Sequence, residues 1–475
     1  MIDRIRRALR RLANPGAPGS ASTTAINDPA FVDVRIAAGI FERVRTHVED
    51  FRRGEEAGFL LCAESAVAGG HVLLVREWHP VPDAAIARNS GGSVLSWSAE
   101  FNSDILQHAL DLDATPVLVH SHGSPSPRFS PDDRAKERPL FGAFSRMLDP
   151  LPTGTLLLGV GDAAGSFWLA GGNQLRFRRL VVVGDTIDTW YSAEHPPPPA
   201  AARRRLDRQA VAIGPASDAK LTRARVGVVG LSGGGSHVIQ QLAHQGVGTL
   251  IPIDDQLVDE TNLGRLVGAT EADVDATSKV ALAQRVAGGI DASIDVDGVE
   301  ERFPSPATIS ALKQADVVVA CLDRFDAREA VNTFCRRYLI PLVDVGMSIR
   351  SVGEHLATAD GQVIVALPGQ PCPRCYFITD AVLARERIDR PPGYDENPDA
   401  PGDPQVVSMN GVLASEACNS VLDLITGYTG GRRGARHWQY DGRSGHLDPH
   451  DLPPARPDCP ACAEEGHGDP PRAAG

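Results

Sequence analysis

The sequence predicts an α/β protein of two domains, an N-terminal α+β module followed by a doubly wound parallel sheet. Three observations lead there. Residues 225–255 read RVGVVG, a glycine-rich turn, SHVIQQLAHQGV and TLIPIDD, the strand–turn–helix–strand order of a βαβ unit. Upstream, β-branched runs such as HVLLV (71–75) and TPVLVH (115–120) are mixed with helical segments. Between the two halves lies SAEHPPPPAAARRR, residues 192–205, whose four consecutive prolines stay extended and fit no core strand.

With 475 residues, 42% of them hydrophobic, the chain carries apolar material for two or three cores. Its formal net charge of -13 opposes a general affinity for nucleic acid. No apolar run approaches the roughly 18–20 residues of a bilayer span, so no stable membrane insertion is expected. The basic start, MIDRIRRALRRLANPGAPGSAS, lacks the central apolar block of a secretory signal. Residues 1–24 are therefore read as a flexible solvated arm and the protein as cytoplasmic. The first module takes 25–191, the linker 192–205, the second module 206–465 and a tail 466–475, with a further irregular segment at 389–404.

In the first module TPVLVH ends at His120, so His120 and His122 sit at a strand's end and the start of its loop. Alternation puts residues i and i+2 on one side, where both imidazoles can face one ion. Asp133 follows Ser130-Pro131, which has the form of a helix N-cap with proline in the first position. A loop of that length can return a carboxylate as third ligand. Two nitrogens and one carboxylate leave a fourth position for water, the composition of a catalytic zinc site, and zinc brings the pKa of such a water to roughly 7. A base is then required, and EEAGFLLC (55–62) supplies Glu55 and Glu56 at the head of an apolar strand. Ser130 is free to donate to the oxyanion of a tetrahedral intermediate, where loss of a donor costs about 2.7–4 kcal/mol of barrier. A bare H-x-H reads first as loop polarity; the wider spacing is what distinguishes it.

That spacing, His120-x-His122, seven residues, Ser130, two residues, Asp133, with Glu-x-x-Gly upstream, resembles the JAMM signature of the JAB/MPN metallopeptidases. These include deubiquitinases and prokaryotic relatives that trim ubiquitin-like proteins. The resemblance implies that His120, His122 and Asp133 bind a catalytic Zn2+ and that Ser130 supports the transition state. Register against Gly58 makes Glu55 the implied base and Glu56 its structural neighbour. Cys62, where the family often has glycine, is read as a small buried hydrophobe.

In the second module GLSGGGS (230–236) follows a strand and opens a helix. Its N–H groups can receive phosphate, although such a turn also serves close packing of helix on strand. Asp254 ends the next strand, where a carboxylate suits ribose hydroxyls; DETNLGR runs to Arg265, and Lys279 is read one turn into a helical pattern. Asp323 follows ADVVVACL, so carboxylates stand at the C-terminal ends of two strands, the edge where open α/β sheets bind ligands.

This half, about 206–465, resembles the ThiF/MoeB adenylyltransferases, whose fold is shared by ubiquitin-activating enzymes. RVGVVGLSGGGS matches their nucleotide loop, with Ser232 where a glycine is usual; IDD…TNLGR matches D-x-D…SNLQRQ, and CLDRFDAREAVN matches C-T-D-N…R…N. The resemblance implies ATP with Mg2+. Gly230, Gly233 and Gly235 belong to the loop, Asp254 to the ribose, Asn262, Arg265 and Lys279 to the phosphates, and Asp323 to the Mg2+–ATP site. Arg208 is implied as an arginine reached across from the partner subunit of a homodimer.

Four of the eight cysteines form two C-x-x-C pairs, Cys372/Cys375 and Cys459/Cys462. In a cytosolic chain such pairs point to metal before disulfide. Four thiolates make a closed structural zinc site, which the family places there; redox pairs are the other reading. Residues 376–410, where activating enzymes that pass a modifier onward carry a catalytic cysteine, contain none. Cys335 and Cys418 lie in helical patterns and are read as inert buried thiols.

The combined expectation is a bifunctional enzyme of a bacterial ubiquitin-like or sulfur-carrier pathway. A zinc (iso)peptidase processes or removes a glycine-tailed partner, and an ATP-dependent domain adenylates that partner's C-terminal glycine. Two readings stand beside it: activation for sulfur transfer in cofactor or metabolite synthesis, and a non-catalytic scaffold that binds ubiquitin-like proteins.

Overall fold

The computed structural model describes residues 30–49, 55–88, 95–122, 127–197, 203–390, 404–430 and 436–470. The basic arm 1–24, linker residues 198–202 and most of the irregular segment, 391–403, lie outside the described residues. The chain divides into two compact units: the first draws on 1–182, 188–198 and 466–475, the second on 183–187 and 199–465. The segment read as a tail thus groups with the first unit. The Asp469 N–H donates to the Glu64 carbonyl at 2.8 Å, and its Oδ2 accepts from the Ala66 N–H at 2.9 Å.

The first unit runs β1 (Phe31–Ala37), α1 (Ala38–Val48), β2 (Ala57–Val67), β3 (Gly70–Pro80), β4 (Ile86–Arg88), β5 (Leu95–Trp97), α2 (Ala99–Asp111), β6 (Thr115–His120), α3 (Pro131–Met147), β7 (Thr153–Leu158), β8 (Asp162–Trp168), β9 (Gln174–Val183) and β10 (Ile187–Ser192). Its main sheet closes on itself in the order β1-β3-β2-β6-β7-β8-β10-β9. Strands β2 and β6 are buried on both faces, which is why they read as unbroken apolar runs. Leu60, Cys62, Val117 and Val119 enter one apolar cluster with Phe41 and Val44 of α1. Phe59, Leu61 and Leu118 enter another with Ile105 of α2 and Phe141 and Phe144 of α3.

The second unit runs α4 (Asp207–Ile213), α5 (Ser217–Arg223), β11 (Arg225–Val229), α6 (Gly233–Gln245), β12 (Thr249–Ile253), α7 (Lys279–Ile290), β13 (Asp295–Val296), α8 (Pro306–Leu312), β14 (Val317–Ala320), α9 (Phe325–Arg337), β15 (Leu342–Val352), β16 (His355–Ala366), α10 (Pro373–Tyr376), α11 (Asp380–Asp389), α12 (Val407–Thr426), β17 (His437–Asp441), β18 (His446–His450) and α13 (Pro460–Ala463). The sheet order is β13-β12-β11-β14-β15-β16-β17-β18. The first five strands are parallel, and β15 to β18 pair antiparallel. From β11 the chain crosses to β12 on one side and later returns to β14 on the other. Such a reversal opens a crevice at the C-terminal ends of β11 and β14. No described helix is long and apolar enough to cross a membrane.

Candidate functional site

Each unit gathers a set of the sequence-predicted side chains. In the first, β2 and β6 pair antiparallel with Ala57 opposite His120, and the Ser121 N–H donates to the Glu56 carbonyl at 3.0 Å. Extending that register sets Glu55 opposite His122. The Glu55 charge helps keep the His122 imidazolium, although the facing Asp133 carboxylate contributes more and burial opposes both. Glu56 points elsewhere: it is buried, with Oε2 3.8 Å from His47 Nε2.

Ser130 is the N-cap of α3 and Pro131 its first residue. The Ser130 hydroxyl accepts from the Asp133 N–H at 3.1 Å, and Asp133 Oδ2 accepts from the Ser130 N–H at 2.6 Å. This capping box aims the carboxylate back at the strand end. Asp133 Oδ2 stands 3.0 Å from His122 Nε2, and Oδ1 stands 3.4 Å from His120 Nε2. Burial disfavours the charged carboxylate, yet the two imidazoles and Ser130 around it hold its pKa well below the usual range. His120 is 7% exposed, and apart from the 3.4 Å approach of Asp133 Oδ1 its ring nitrogens meet no hydrogen-bond partner among the described residues. A buried imidazole beside a second imidazole and a carboxylate, all with donor atoms within 4.8 Å, fits a divalent metal.

In the second unit the crevice is a cleft of about 910 Å³. Gly230, Gly233, Asp254, Asn262, Arg265, Lys279 and Asp323 all line it, with Ser232. Gly230 has φ +85°, and a Cβ there would meet the Cys321 carbonyl oxygen at 2.6 Å, so only glycine makes this turn. Asp254 fastens the turn to β12: its Oδ2 accepts from the Leu231 N–H at 2.8 Å and its Oδ1 from the Gln256 N–H at 3.0 Å. Asn262, buried in a short 3₁₀ turn, donates to Asp259 Oδ2 at 2.9 Å. Asp323 is largely exposed in the loop after β14, with Oδ2 3.1 Å from Arg390 Nη1.

Two assignments differ from the sequence reading. Gly235 does not line the cleft; a Cβ there would collide with the Gly230 carbonyl oxygen, so its glycine serves the packing of α6 on the turn. Lys279 is the first residue of α7, not a turn into it, because Ser278 is the N-cap. Arg208 is exposed on α4 and does not line the cleft of its own chain, which is the placement expected of an arginine that serves a neighbouring subunit. Sequence reasoning also passed over Gln256, Arg390 and Asn410, which line the same cleft. Gln256, two residues beyond Asp254 in a loop, carries no motif signal. Arg390 stood in a stretch read only as irregular.

The fold brings the two C-x-x-C pairs, far apart in sequence, into one cluster. Cys372 Sγ lies 3.9 Å from Cys375, 3.7 Å from Cys459 and 3.6 Å from Cys462, and Cys375 lies 3.6 Å from Cys462. A zinc–sulfur bond of about 2.3 Å gives a tetrahedron with edges of about 3.8 Å, whereas a disulfide is near 2.05 Å. Helix α9 holds both knuckles. Asn332 Nδ2 donates to Cys372 Sγ at 3.4 Å, and Arg336 donates to the Leu367 carbonyl at 2.6 Å and to Glu465 Oε2 at 2.8 Å. The Cys462 thiol donating to it, with Arg336 nearby, favours thiolate at Cys372. Cys62, Cys335 and Cys418 are buried, and burial raises the Cys62 and Cys418 thiols far above the ordinary range.

Comparison with known proteins bears on the second unit. A model of the ThiF family matches residues 206–461. The SAMP-activating enzyme E1 of Haloferax volcanii is 30% identical over 268 residues, 54% of this chain and 86% of that protein. The sulfur carrier protein ThiS adenylyltransferase of Escherichia coli is 31% identical over 160 residues, 33% of this chain and 60% of its own length. Among solved structures, E. coli MccB with ATP shares 20% identity over 55% of this chain and 75% of its own, with a TM-score of 0.43. The family match leaves the first unit and its His120–His122–Asp133 cluster outside it.

Proposed function

The chain belongs to the ThiF family, and from that premise we propose that its second unit adenylates the C-terminal glycine of a small ubiquitin-like or sulfur-carrier protein. The observation that carries this reading is the convergence of Gly230, Asp254, Asn262, Arg265, Lys279 and Asp323 on one cleft at the strand reversal. The first-turn N–H groups of α6, with Lys279 and Arg265, receive the triphosphate. Asp254 anchors the turn and faces the ribose side. Asp323 would hold a Mg2+ ion with the nucleotide, and such an ion would neutralise phosphate charge. A glycine carboxylate oxygen then bonds to the α-phosphorus as the bond to the β-phosphate's bridging oxygen breaks, and pyrophosphate leaves with the electron pair. ATP–pyrophosphate exchange dependent on a glycine-ended ubiquitin-like protein tests this; exchange absent with every such partner overturns it. We infer also that the chain acts as a homodimer in which Arg208 serves the neighbouring cleft. Mixing Arg208→Ala chains with Asp323→Ala chains then restores part of the exchange lost by each.

The first unit we read as a JAMM-type peptidase acting on the same glycine tail, a reading supported by the buried His120 ring beside His122 and Asp133. His120, His122 and Asp133 would hold a divalent ion, which would supply Lewis acidity and bring a water's pKa to roughly 7. Glu55 takes the proton of the attacking water and returns it to the leaving amine. The Ser130 hydroxyl spends a lone pair on the Asp133 N–H and keeps its own proton for the carbonyl oxygen that gains charge. Cleavage after the terminal glycine of a fusion substrate, lost on chelation, tests it.

One observation favours the sulfur-transfer version of this pathway. Residues 376–410 contain no cysteine, Cys418 is fully buried, and burial pushes the Cys321 thiol that lines the cleft up to about 12, so the adenylate is left for attack by a nucleophile from elsewhere. Mass spectrometry of the partner decides: a C-terminal thiocarboxylate supports sulfur transfer, and attachment to lysines supports protein conjugation.

A further inference from the structure

The first unit contains another group of metal-capable side chains that neither proposed site uses. Glu77 and His79 lie two residues apart on β3, so alternation puts both on one face of the strand. His108 reaches the same place from the last turn of α2. Glu77 Oε2 is 2.8 Å from His79 Nε2 and 2.9 Å from His108 Nε2. The two rings meet edge to face, with centroids 5.2 Å apart and planes at 77°. Donor atoms of all three residues lie within 4.8 Å of one another.

The backbone around the trio is fixed independently of it. Glu77 pairs with Leu61 and His79 with Phe59 across the sheet, and the Arg76 side chain donates to the Leu112 carbonyl at 3.1 Å, joining β3 to the end of α2. Donors bound to one tetrahedral ion at about 2.0–2.1 Å sit about 3.3 Å apart. Separating the present contacts by a few tenths of an ångström therefore admits an ion between them. All three side chains are partly exposed, which leaves room for water as the remaining ligand.

We propose that Glu77, His79 and His108 form a further divalent-metal site that takes Zn2+ or a similar late transition ion and ties α2 to β3. Two imidazole nitrogens and one carboxylate oxygen suit such ions and not the all-oxygen preference of Mg2+ or Ca2+. The ligands come from a strand and a helix, so the ion acts as a cross-link.

The test uses the full chain carrying His120→Ala and His122→Ala, so that the buried cluster does not compete, with the cysteine cluster loaded beforehand. Titrated calorimetrically with Zn2+, this chain takes up one equivalent. Adding His108→Ala or His79→Gln abolishes that uptake. Even changes outside the ligand shell cost metal sites about 10–100-fold in affinity, so Glu77→Gln weakens uptake by at least about tenfold. Circular dichroism verifies that each variant is folded. A second check on the same His120→Ala, His122→Ala chain is the electron spin resonance of substoichiometric Cu2+, which shows two equivalent nitrogen couplings if both remaining imidazoles bind it. Uptake unchanged in folded variants, no uptake by the parent, or fewer than two nitrogens on Cu2+ each overturns the site.

Discussion

Lys279 Nζ donates to Ser232 Oγ at 2.9 Å, joining the first residue of α7 to the residue just before α6. The same ammonium donates to Gln256 Oε1 at 2.6 Å and is 2% exposed. A serine in the N-cap position normally accepts from a helix N–H, but Ser232 makes no such bond. The first-turn amides of α6 are therefore left for a ligand, and the buried cation is held by two neutral oxygens. Both favour an anion in the cleft.

Lys279→Ala accordingly lowers ATP–pyrophosphate exchange by about 10–100-fold, since hydrogen bonds to charged groups contribute about 1.5–3 kcal/mol each. Ser232→Gly stays within a few-fold of the parent, because Gln256 still orients the ammonium. Exchange rates against ATP concentration check both, and a larger loss for Ser232→Gly would refute the assigned order.

Asp323→Ala abolishes exchange while leaving cleavage of a glycine-tailed fusion at the parent rate. The aspartate stands in the second unit, in the loop between β14 and α9, and the cleavage residues stand in the first. Parallel assays of one preparation check this; loss of both activities would show that the two chemistries depend on each other.

The α/β core of the second unit was legible because its central strands are buried on both faces. VGVV, LIPI and VVVA appear as apolar runs bounded by glycine and aspartate, and they became β11, β12 and β14. Strands β17 and β18, HWQYD and HLDPH, lie toward the sheet's edge, where one-sided burial leaves no apolar run to read. In the cleft, motif residues were legible and loop residues were not. Gln256 and Arg390 contribute through where the chain folds back, which local spacing does not encode. Gly235 was legible as a glycine but not by its role, since a loop glycine that meets a ligand and one that meets backbone look alike in sequence.

Glu55→Gln retains metal at the His120–His122–Asp133 cluster and loses cleavage by at least about 100-fold, the scale of a positioned general base. The amide keeps the shape and the hydrogen-bonding reach but cannot take a proton at neutral pH. Zinc content and cleavage rate are measured on the same sample; a variant that still cleaves would move the base elsewhere.

Cys459→Ser opens one corner of the four-thiol cluster and loosens both knuckles, which are pinned through Arg336 to Leu367 and Glu465. Structural zinc sites contribute on the order of 10 kcal/mol to folding in small zinc-dependent peptides, and part of that is lost here. The expected result is a lower thermal midpoint with new proteolysis near 367–376 and 456–465. A mercurial should release one zinc from the parent that the variant lacks. A variant with the parent's midpoint and zinc content would refute the structural role.

Glu137 gives a pH prediction. It lies one helical turn beyond Asp133 on α3 and is 4% exposed. Burial pushes its carboxyl up to about 7, with only partial relief from the Thr155 and Ser166 hydroxyls, and the nearby Asp133 charge adds to the rise. Its ordinary value is 4.5, so between pH 4.5 and 7 the folded chain keeps a proton that the unfolded chain has released. Stability from this group is complete below about 4.5 and is lost as pH rises through about 7. At about 1.4 kcal/mol per pKa unit, the full loss is about 3.5 kcal/mol, of which about 2.5 kcal/mol falls between pH 5 and pH 8. Glu137→Gln keeps a neutral side chain of similar shape at every pH, so it gains on the parent between pH 5 and pH 8 by that amount. Urea midpoints of the two chains at both pH values measure the gain, and an equal offset at pH 5 and pH 8 would mean that Glu137 is already ionised in the fold.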